Sequence, residues 1–208
     1  MPYSVRLSIF IVVATIVGLL VAFMLLYAPV KRILNKNFTI RMYYRRVRRV
    51  VDDRDMLLIN NFKNYTAEQE AFHIDHIVIG EKFFYVIRDR YYDGALAANA
   101  KDNRWVFYRG EESRLIPNPM LRNELRVERM SLMSNIPSQE IISIVLINDD
   151  CLLTPVEDAN PNSYIVSLKK LPKLIAQLEA TPGIAPLQPR DAEIAARDLA
   201  ELNRNGKV

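Results

Sequence analysis

Charged and titratable side chains interrupt an otherwise apolar stretch at residues 74–92, and they are the residues of this chain best placed to do chemistry. They are Asp75, His76, Arg88, Asp89 and Arg90. A charge within an apolar segment costs free energy to bury unless it is paired. These residues therefore mark either a functional site or a salt bridge. A carboxylate can help to hold a divalent metal, whereas an arginine can neither ligate a metal nor act as a base.

Two β-strands joined by a short turn are predicted to position these side chains. Apolar runs at residues 74–79 and 83–87 flank the polar turn Gly80-Glu81-Lys82. Because both faces of each run are apolar, we expect a sheet that is covered on both sides. Strand alternation then places Arg88 and Arg90 on one face and Asp89 on the opposite face.

The remaining patterns predict an α/β fold with a mixed central sheet flanked by helices. With 208 residues and 50% apolar content, the chain can form one core domain plus further segments. Further strands are predicted at residues 56–62, 105–108, 141–147 and 164–166. Helices are predicted at residues 38–53 and 123–133, from a Ser167 cap to about residue 180, and at residues 191–202.

The expected buried members of these helices follow from their spacing. In the helix at residues 123–133 they are Leu125, Met130 and Met133. The proline-rich segment at residues 181–189 is typical of a linker. It separates the last predicted helix from the domain. That helix is amphipathic and could dock either on its own domain or on a partner.

The first thirty residues predict a membrane anchor. No charged residue occurs from Leu7 to Tyr27, and a helix of that length can cross a bilayer core. A buried soluble helix is rarely apolar on every face for so long. A cleaved signal peptide is disfavoured by the length and by the lack of a small-x-small site. We therefore expect an anchor at 1–30, an α/β domain at 31–180, and a linker with a terminal helix at 181–208.

Basic residues around this span predict its orientation. Arg6 alone precedes it, whereas nine basic residues follow it: Lys31, Arg32, Lys36, Arg41, Arg45, Arg46, Arg48, Arg49 and Arg54. The positive-inside rule then places the amino terminus outside and the main domain in the cytoplasm. The single cysteine, Cys151, fits a reducing compartment, and its apolar surroundings favour a core position.

The helix expected at residues 38–53 combines an apolar face with arginines. The apolar face consists of Ile40, Tyr44, Val47 and Val51. The arginines are Arg41, Arg45, Arg46, Arg48 and Arg49. They could form a solvated face, contact anionic lipid headgroups, or contact nucleic-acid phosphate.

Several motifs in order resemble the nuclease-related domain family, NERD, of the PD-(D/E)XK nuclease-like superfamily. They are Ile74-Asp75-His76-Ile77, Val86-Ile87, Trp105 and Asn118-Pro119-Met120. The resemblance covers roughly residues 40–178. It implies a restriction-endonuclease-like fold for this part of the chain.

The departures from the family pattern fall on its chemistry. In the family, an aspartate and a glutamate hold a divalent metal, and a lysine assists the attacking water. Asp75 matches the aspartate, but Arg88 and Arg90 occupy the glutamate and lysine positions. A helix glutamate aligns near Tyr44, and a glutamine aligns near Arg122. The resemblance thus implies a degenerate site without metal or cofactor, in which Asp75 pairs with Arg88 or Arg90.

An alternative keeps the site active with relocated ligands. Glu68 or Glu70 could approach from the preceding loop, and His73 shares a face with Asp75. For His76, on the opposite face, we expect a hydrogen-bonded structural role.

These patterns predict a single-pass membrane protein with a nuclease-like cytoplasmic domain that does not cleave. We expect a binding or scaffolding subunit whose partners are the membrane, other protein subunits and, through its basic surface, nucleic acid. No small-molecule substrate is expected. The two alternatives are an active metal-dependent nuclease and a purely structural subunit of a membrane complex.

Overall fold

A computed structural model describes residues 3–65, 71–157 and 159–205 of the chain. The chain separates into two compact units, Met1–Tyr44 and Arg45–Val208. Its helices are α1 (Tyr3–Asp52), α2 (Pro119–Ser134), α3 (Leu171–Glu179) and α4 (Pro189–Asn205). Its strands are β1 (Leu57–Tyr65), β2 (Ala71–Ile79), β3 (Phe84–Arg90), β4 (Ala95–Ala97), β5 (Arg104–Arg109), β6 (Glu112–Pro117), β7 (Ile141–Ile147), β8 (Leu152–Leu153) and β9 (Ser163–Ser167).

The first unit is formed by α1, which extends beyond it to Asp52. Among the described residues, none of the helices combines the length and the hydropathy of a membrane span. The anchor expected at residues 7–27 is not supported by this finding and stays a prediction.

A mixed five-stranded sheet organises the second unit in the order β1-β2-β3-β7-β9. The first three strands are antiparallel neighbours, and β3, β7 and β9 run parallel to one another. β7 is the sequence IISIVLI and is buried along its whole length. Such a strand is typical of the centre of a sheet that is covered on both faces.

Helices cover both faces of this sheet, as expected for the α/β fold. Neighbouring residues of β3 point to opposite faces. On one face the Tyr85 hydroxyl donates to Glu179 of α3 over 2.6 Å. On the other face, α2 contacts β3 and β7, and its Asn123 donates to the carbonyl oxygen of Val86 over 2.9 Å.

A second sheet, in the order β6-β5-β4-β8, carries a separate apolar cluster. Trp105 is buried there, and its indole N–H donates to the carbonyl oxygen of Asn99 over 2.6 Å. Cys151 is buried beside the same cluster, and burial raises the pKa of its thiol. The expectation of a core cysteine is thus confirmed.

Two helices present faces that match the predicted ones only in part. In α1, Val47 and Val51 are buried as predicted, whereas Ile40 is exposed, and Tyr43 and Val50 are buried in addition. In α2, Leu125 is exposed because the buried side chains are Pro119, Met120, Asn123, Val127 and Met130. Periodicity of apolar residues overlooks such a face because the polar Asn123 occupies one of its central positions.

Local boundaries also differ from the predicted ones. β1 continues to Tyr65, beyond the predicted end at residue 62, because residues 62–65 pair with β2. Ser167 does not cap α3, because it still pairs with Ile147 as the last residue of β9. α2 begins at Pro119, before the predicted start.

The last helix, α4, docks on its own domain. Leu199 is buried in the apolar cluster that α2 shares with β1, β2 and β3. Two polar contacts support this position. The Leu187 N–H donates to the carbonyl oxygen of Glu81, and the Lys63 N–H donates to Oδ1 of Asn203.

Candidate functional site

The site lies where the backbone pairing of β2 with β3 stops. The last paired residues are His76 and Ile87, and Asp75 lies one step beyond them. Both carboxylate oxygens of Asp75 are engaged there. Oδ1 accepts from Nη1 of Arg88 over 2.9 Å, and Oδ2 accepts from the backbone N–H of Asp89 over 2.9 Å. Arg88 and Arg90 were the two partners expected for Asp75, and in the structure Asp75 pairs with Arg88.

His73 lies on the same side and makes a second contact with Arg88. Its Nδ1 is 2.6 Å from Nη1 of Arg88, and its Nε2 is 2.9 Å from Oδ1 of Asn61. Because an arginine only donates hydrogen bonds, Nδ1 must accept, and the ring proton must sit on Nε2 and donate to Asn61. Burial lowers the pKa of His73, and the charge of Arg88 acts in the same direction against the raising effect of Asp75. The 3.6 Å approach of His73 to Asp75 is consequently a contact of a neutral ring rather than an ion pair.

Helix α2 adds further guanidinium groups, and together they form the arginine cluster, defined as Arg88, Arg90, Arg122 and Arg126. Nε of Arg126 donates to the carbonyl oxygen of His73 over 2.9 Å, and its Nη1 donates to that of Arg122 over 2.6 Å. Nη1 of Arg90 donates to the carbonyl oxygen of Asp89 over 2.9 Å. Two strands and one helix therefore position this cluster.

Mutual repulsion acts within the arginine cluster. Burial, followed by the charges of Arg88 and Arg90, lowers the pKa of Arg126 to about 10. Burial and the charge of Arg88 likewise lower the pKa of Arg90. Arg122 contributes to both effects in the same direction. The surroundings of Asp75 are therefore strongly cationic.

A separate polar group occupies the opposite face of the sheet. The buried His76 ring has Nδ1 at 2.6 Å from Oδ1 of Asn60 and Nε2 at 3.0 Å from Oδ2 of Asp89. Burial raises the pKa of Asp89, and the hydrogen bond from His76 opposes that effect. The structural role expected for His76 and the opposite orientation expected for Asp89 are both confirmed. Asp89 is thus directed away from Asp75.

The described residues at this site do not fit a divalent metal. Asp75 has both oxygens occupied by donors, and Arg88, which pairs with it, cannot ligate a metal. Across residues 3–65, 71–157 and 159–205, no group of three His, Cys, Asp or Glu side chains could hold a metal ion. The alternative ligands Glu68 and Glu70 lie outside the described residues.

The contribution of Arg126 was not foreseen from the sequence. Its spacing of four residues from Arg122 on α2 was an available signal, because residues four apart share a helix face. Asn61 was also missed. It adopts a left-handed backbone with φ of 53° within β1, a conformation that asparagine tolerates better than most residues.

The arginines of α1 lie in a different setting. Arg41, Arg45, Arg48 and Arg49, which we name the basic stripe, are exposed, and Arg46 is partly buried. Within the stripe, Arg48 pairs with Asp52 over 3.5 Å at a solvated position. Such an exposed pair contributes little to stability.

Comparison with known proteins gives a family match. Residues 41–148 match the family model described as nuclease-related domain, NERD, which spans just over half of the chain. The match includes Asp75, Arg88, Arg90 and Arg122. Neither the curated proteins nor the solved structures provide a match.

Proposed function

The chain belongs to the nuclease-related domain family, and from this premise we propose that it carries a nuclease-like domain that binds but does not cleave. The observation that carries the proposal is the ion pair between Arg88 and Asp75. It places a fixed positive charge beside the one acidic residue that matches the family's metal site.

The chemistry of arginine supports the loss of cleavage. Mg²⁺ is usually held by one or two carboxylates with water completing the octahedron. An arginine stays protonated at every relevant pH, so Arg88 cannot supply a ligand and Arg90 cannot accept a proton from water. We therefore assign Asp75, Arg88 and Arg90 to a degenerate site without metal or cofactor.

The proposed role is that of a binding or scaffolding subunit at a membrane, in a complex that handles nucleic acid. The uncharged run at residues 7–27 and the basic residues that follow it support an anchor with the domain in the cytoplasm. Exposed apolar side chains such as Leu19, Phe23 and Met24 are compatible with that anchor. The basic stripe offers contacts to lipid headgroups or nucleic-acid phosphate.

A nuclease assay tests the proposed loss of cleavage. The purified full chain is incubated with single- and double-stranded DNA and RNA in the presence of Mn²⁺. We expect no cleavage. Cleavage that disappears in Asp75→Ala would contradict the proposal and would favour an active nuclease with Glu68 or Glu70 as a relocated ligand.

A restored motif provides the matched positive test. The variant R88E/R90K recreates the family's acidic and lysine positions beside Asp75. We expect Mn²⁺ to raise the melting temperature of this variant and to leave that of the wild type unchanged, because only a ligand that binds the native state stabilises it. The control is Arg104→Glu, which makes one similar charge change at an exposed position of β5. Stabilisation of the wild type by Mn²⁺ would show that Asp75 still binds metal.

Protease protection tests the orientation separately. Protease added to intact cells should leave the domain after residue 31 uncut, while the same treatment after lysis should digest it. Digestion from outside intact cells would overturn the cytoplasmic assignment.

A further inference from the structure

We propose that the arginine cluster is a binding site for a phosphate oxyanion, which takes the place that a metal occupies in the family. This inference rests on the proposed loss of the metal site, and it adds the chemical class of ligand that the altered site accepts.

The protein holds two of the guanidinium groups in place while leaving donors for a ligand. Arg88 uses Nη1 for its contacts to Asp75 and to His73, and its buried Nε has no hydrogen-bond partner among the residues that the structure describes. Arg126 is fixed by the carbonyl oxygens of His73 and Arg122. Each guanidinium has five N–H donors, so these contacts leave several unused. A preorganised donor set of this kind reduces the entropy lost when a ligand binds.

The charge at the site favours an anion over a cation. The charges that act on the pKa of Arg126 come, in decreasing order, from Arg88, Arg90, Asp75 and Arg122, so three cations act against one carboxylate. Asp89 is directed to the opposite face, where it accepts from His76. A bound anion would neutralise this excess positive charge and relieve the repulsion among the arginines.

The guanidinium geometry selects among anions. Its planar, forked donors can bind two oxygens of a phosphate at once. A monoatomic anion such as chloride cannot provide two acceptor atoms. Arg122 in the first turn of α2 is exposed, whereas Arg88, Arg90 and Arg126 are partly buried. The site therefore opens toward solvent on the Arg122 side. A phosphate group attached to a larger molecule could enter from that side.

Thermal melting of the full chain in sodium phosphate tests the site. Melting is compared with sodium chloride at equal ionic strength for the wild type, Arg122→Gln, Arg126→Gln and Arg104→Gln. Because phosphate also stabilises proteins by exclusion from their surface, the exposed Arg104 serves as a matched control outside the cluster. We expect a larger phosphate-dependent rise in the wild type and Arg104→Gln than in the two cluster variants.

The size of the effect is set by the lost hydrogen bonds. Removing one charged donor should weaken phosphate affinity about tenfold or more. If Arg126→Gln does not fold, the exposed Arg122→Gln still gives the comparison. Equal phosphate responses in the wild type, Arg122→Gln and Arg104→Gln would overturn the inference. This result would not bear on the proposed loss of cleavage, which the nuclease assay with Mn²⁺ tests separately.

Competition then identifies the source of the phosphate. Three probes are used: inorganic phosphate, a single-stranded oligonucleotide with or without a 5′-phosphate, and vesicles of phosphatidylglycerol or phosphatidylcholine. A probe bound through the site should bind more weakly to Arg122→Gln than to Arg104→Gln, and inorganic phosphate should displace it. Preference for the phosphorylated oligonucleotide supports a nucleic-acid end, and preference for phosphatidylglycerol supports a lipid headgroup. If Arg122→Gln weakens the binding of none of the three probes, the inference is contradicted.

Discussion

Arg88 and Asp75 form an ion pair with Nη1 and Oδ1 2.9 Å apart, and only 17% and 21% of their respective side chains are exposed. The same carboxylate also accepts the backbone N–H of Asp89 through its other oxygen. Asp75 therefore joins β2 to β3 at the point where the regular pairing of the two strands has ended. This residue of a nuclease motif serves here as a structural link.

Replacing Asp75 by alanine should destabilise the domain by about 3 kcal/mol, because an arginine is left without its countercharge in a cationic, partly buried site. Urea unfolding of the full chain measures the change. Asp75→Asn is the control, since it keeps an oxygen that can accept from Asp89 and should cost less. If Asp75→Ala were more stable than the wild type, the carboxylate would be surrounded by other negative charges, as in a working metal site, rather than by positive ones.

Acidification should destabilise the protein through His73. The pKa of this residue is lowered from 6.5 in the folded state, chiefly by burial. Below about pH 6.5 the unfolded chain therefore binds a proton that the folded protein resists. The stability that depends on neutral His73 is complete above this pH and is lost as the pH falls.

Melting temperatures between pH 7.5 and 5.5 measure this effect in the wild type and in His73→Gln. The chain has two histidines, so the substitution removes one of them and keeps His76. We expect a shallower pH dependence in His73→Gln. An identical pH profile in the two proteins would contradict the neutral tautomer that donates to Asn61 and accepts from Arg88.

Asn118 should contribute more to stability than an ordinary helix cap. Its Oδ1 accepts from the N–H of Met120 at the start of α2, and its Nδ2 donates to the carbonyl oxygens of Ala100 and Asp102. Loss of a cap costs about 1 kcal/mol, and unpaired buried carbonyls add to that cost. We expect Asn118→Ala to lose about 2–3 kcal/mol in urea unfolding.

Serine at the same position separates the two contributions of Asn118. Asn118→Ser keeps an oxygen for the helix but loses the amide donor, so it should recover only part of the stability. Full recovery by serine would assign the whole effect to the cap and none to the contacts with the loop.

Neutralising part of the basic stripe should weaken binding of nucleic acid in a salt-dependent manner. If Arg45 and Arg49 contact phosphates, the double variant R45Q/R49Q should reduce the slope of log affinity against log salt by about two. Fluorescence anisotropy with oligonucleotides of different sequence measures the slope, and little sequence preference is expected. The control R104Q/R190Q removes the same charge at two other exposed positions. Equal slopes in both double variants would exclude the stripe as the contact surface.

The central hairpin and the pairing at the site could be predicted because they depend on local patterns. Alternation along β3 places Arg88 and Asp89 on opposite faces, and the short turn at residues 80–82 brings β2 alongside β3. The strand at residues 141–147 was predicted with its observed bounds, because a run of mainly β-branched residues is flanked by the polar Glu140 and Asn148.

The parts that could not be predicted depend on tertiary hydrogen bonds. Asn123 is fully buried because its amide donates to the carbonyl oxygen of Val86 and to the hydroxyl of Ser143. A polar residue in that position shifts the apparent apolar face of α2 and leads to a wrong prediction for Leu125. The spacing of Arg126 from Arg122 indicates a shared helix face, but it does not predict the tertiary hydrogen bond from Arg126 to the backbone of His73.

The docking of α4 has a consequence for the association of this protein with itself. β1 is an edge strand of the central sheet, and exposed backbone N–H and C=O groups on an edge can pair with a strand from another molecule. α4 packs along this strand, and Oδ1 of Asn203 accepts a hydrogen bond from the backbone N–H of Lys63. We therefore expect α4 to hinder the pairing of this edge with a second molecule. A chain shortened before Pro189 should form β-rich assemblies at concentrations at which the full chain remains dispersed.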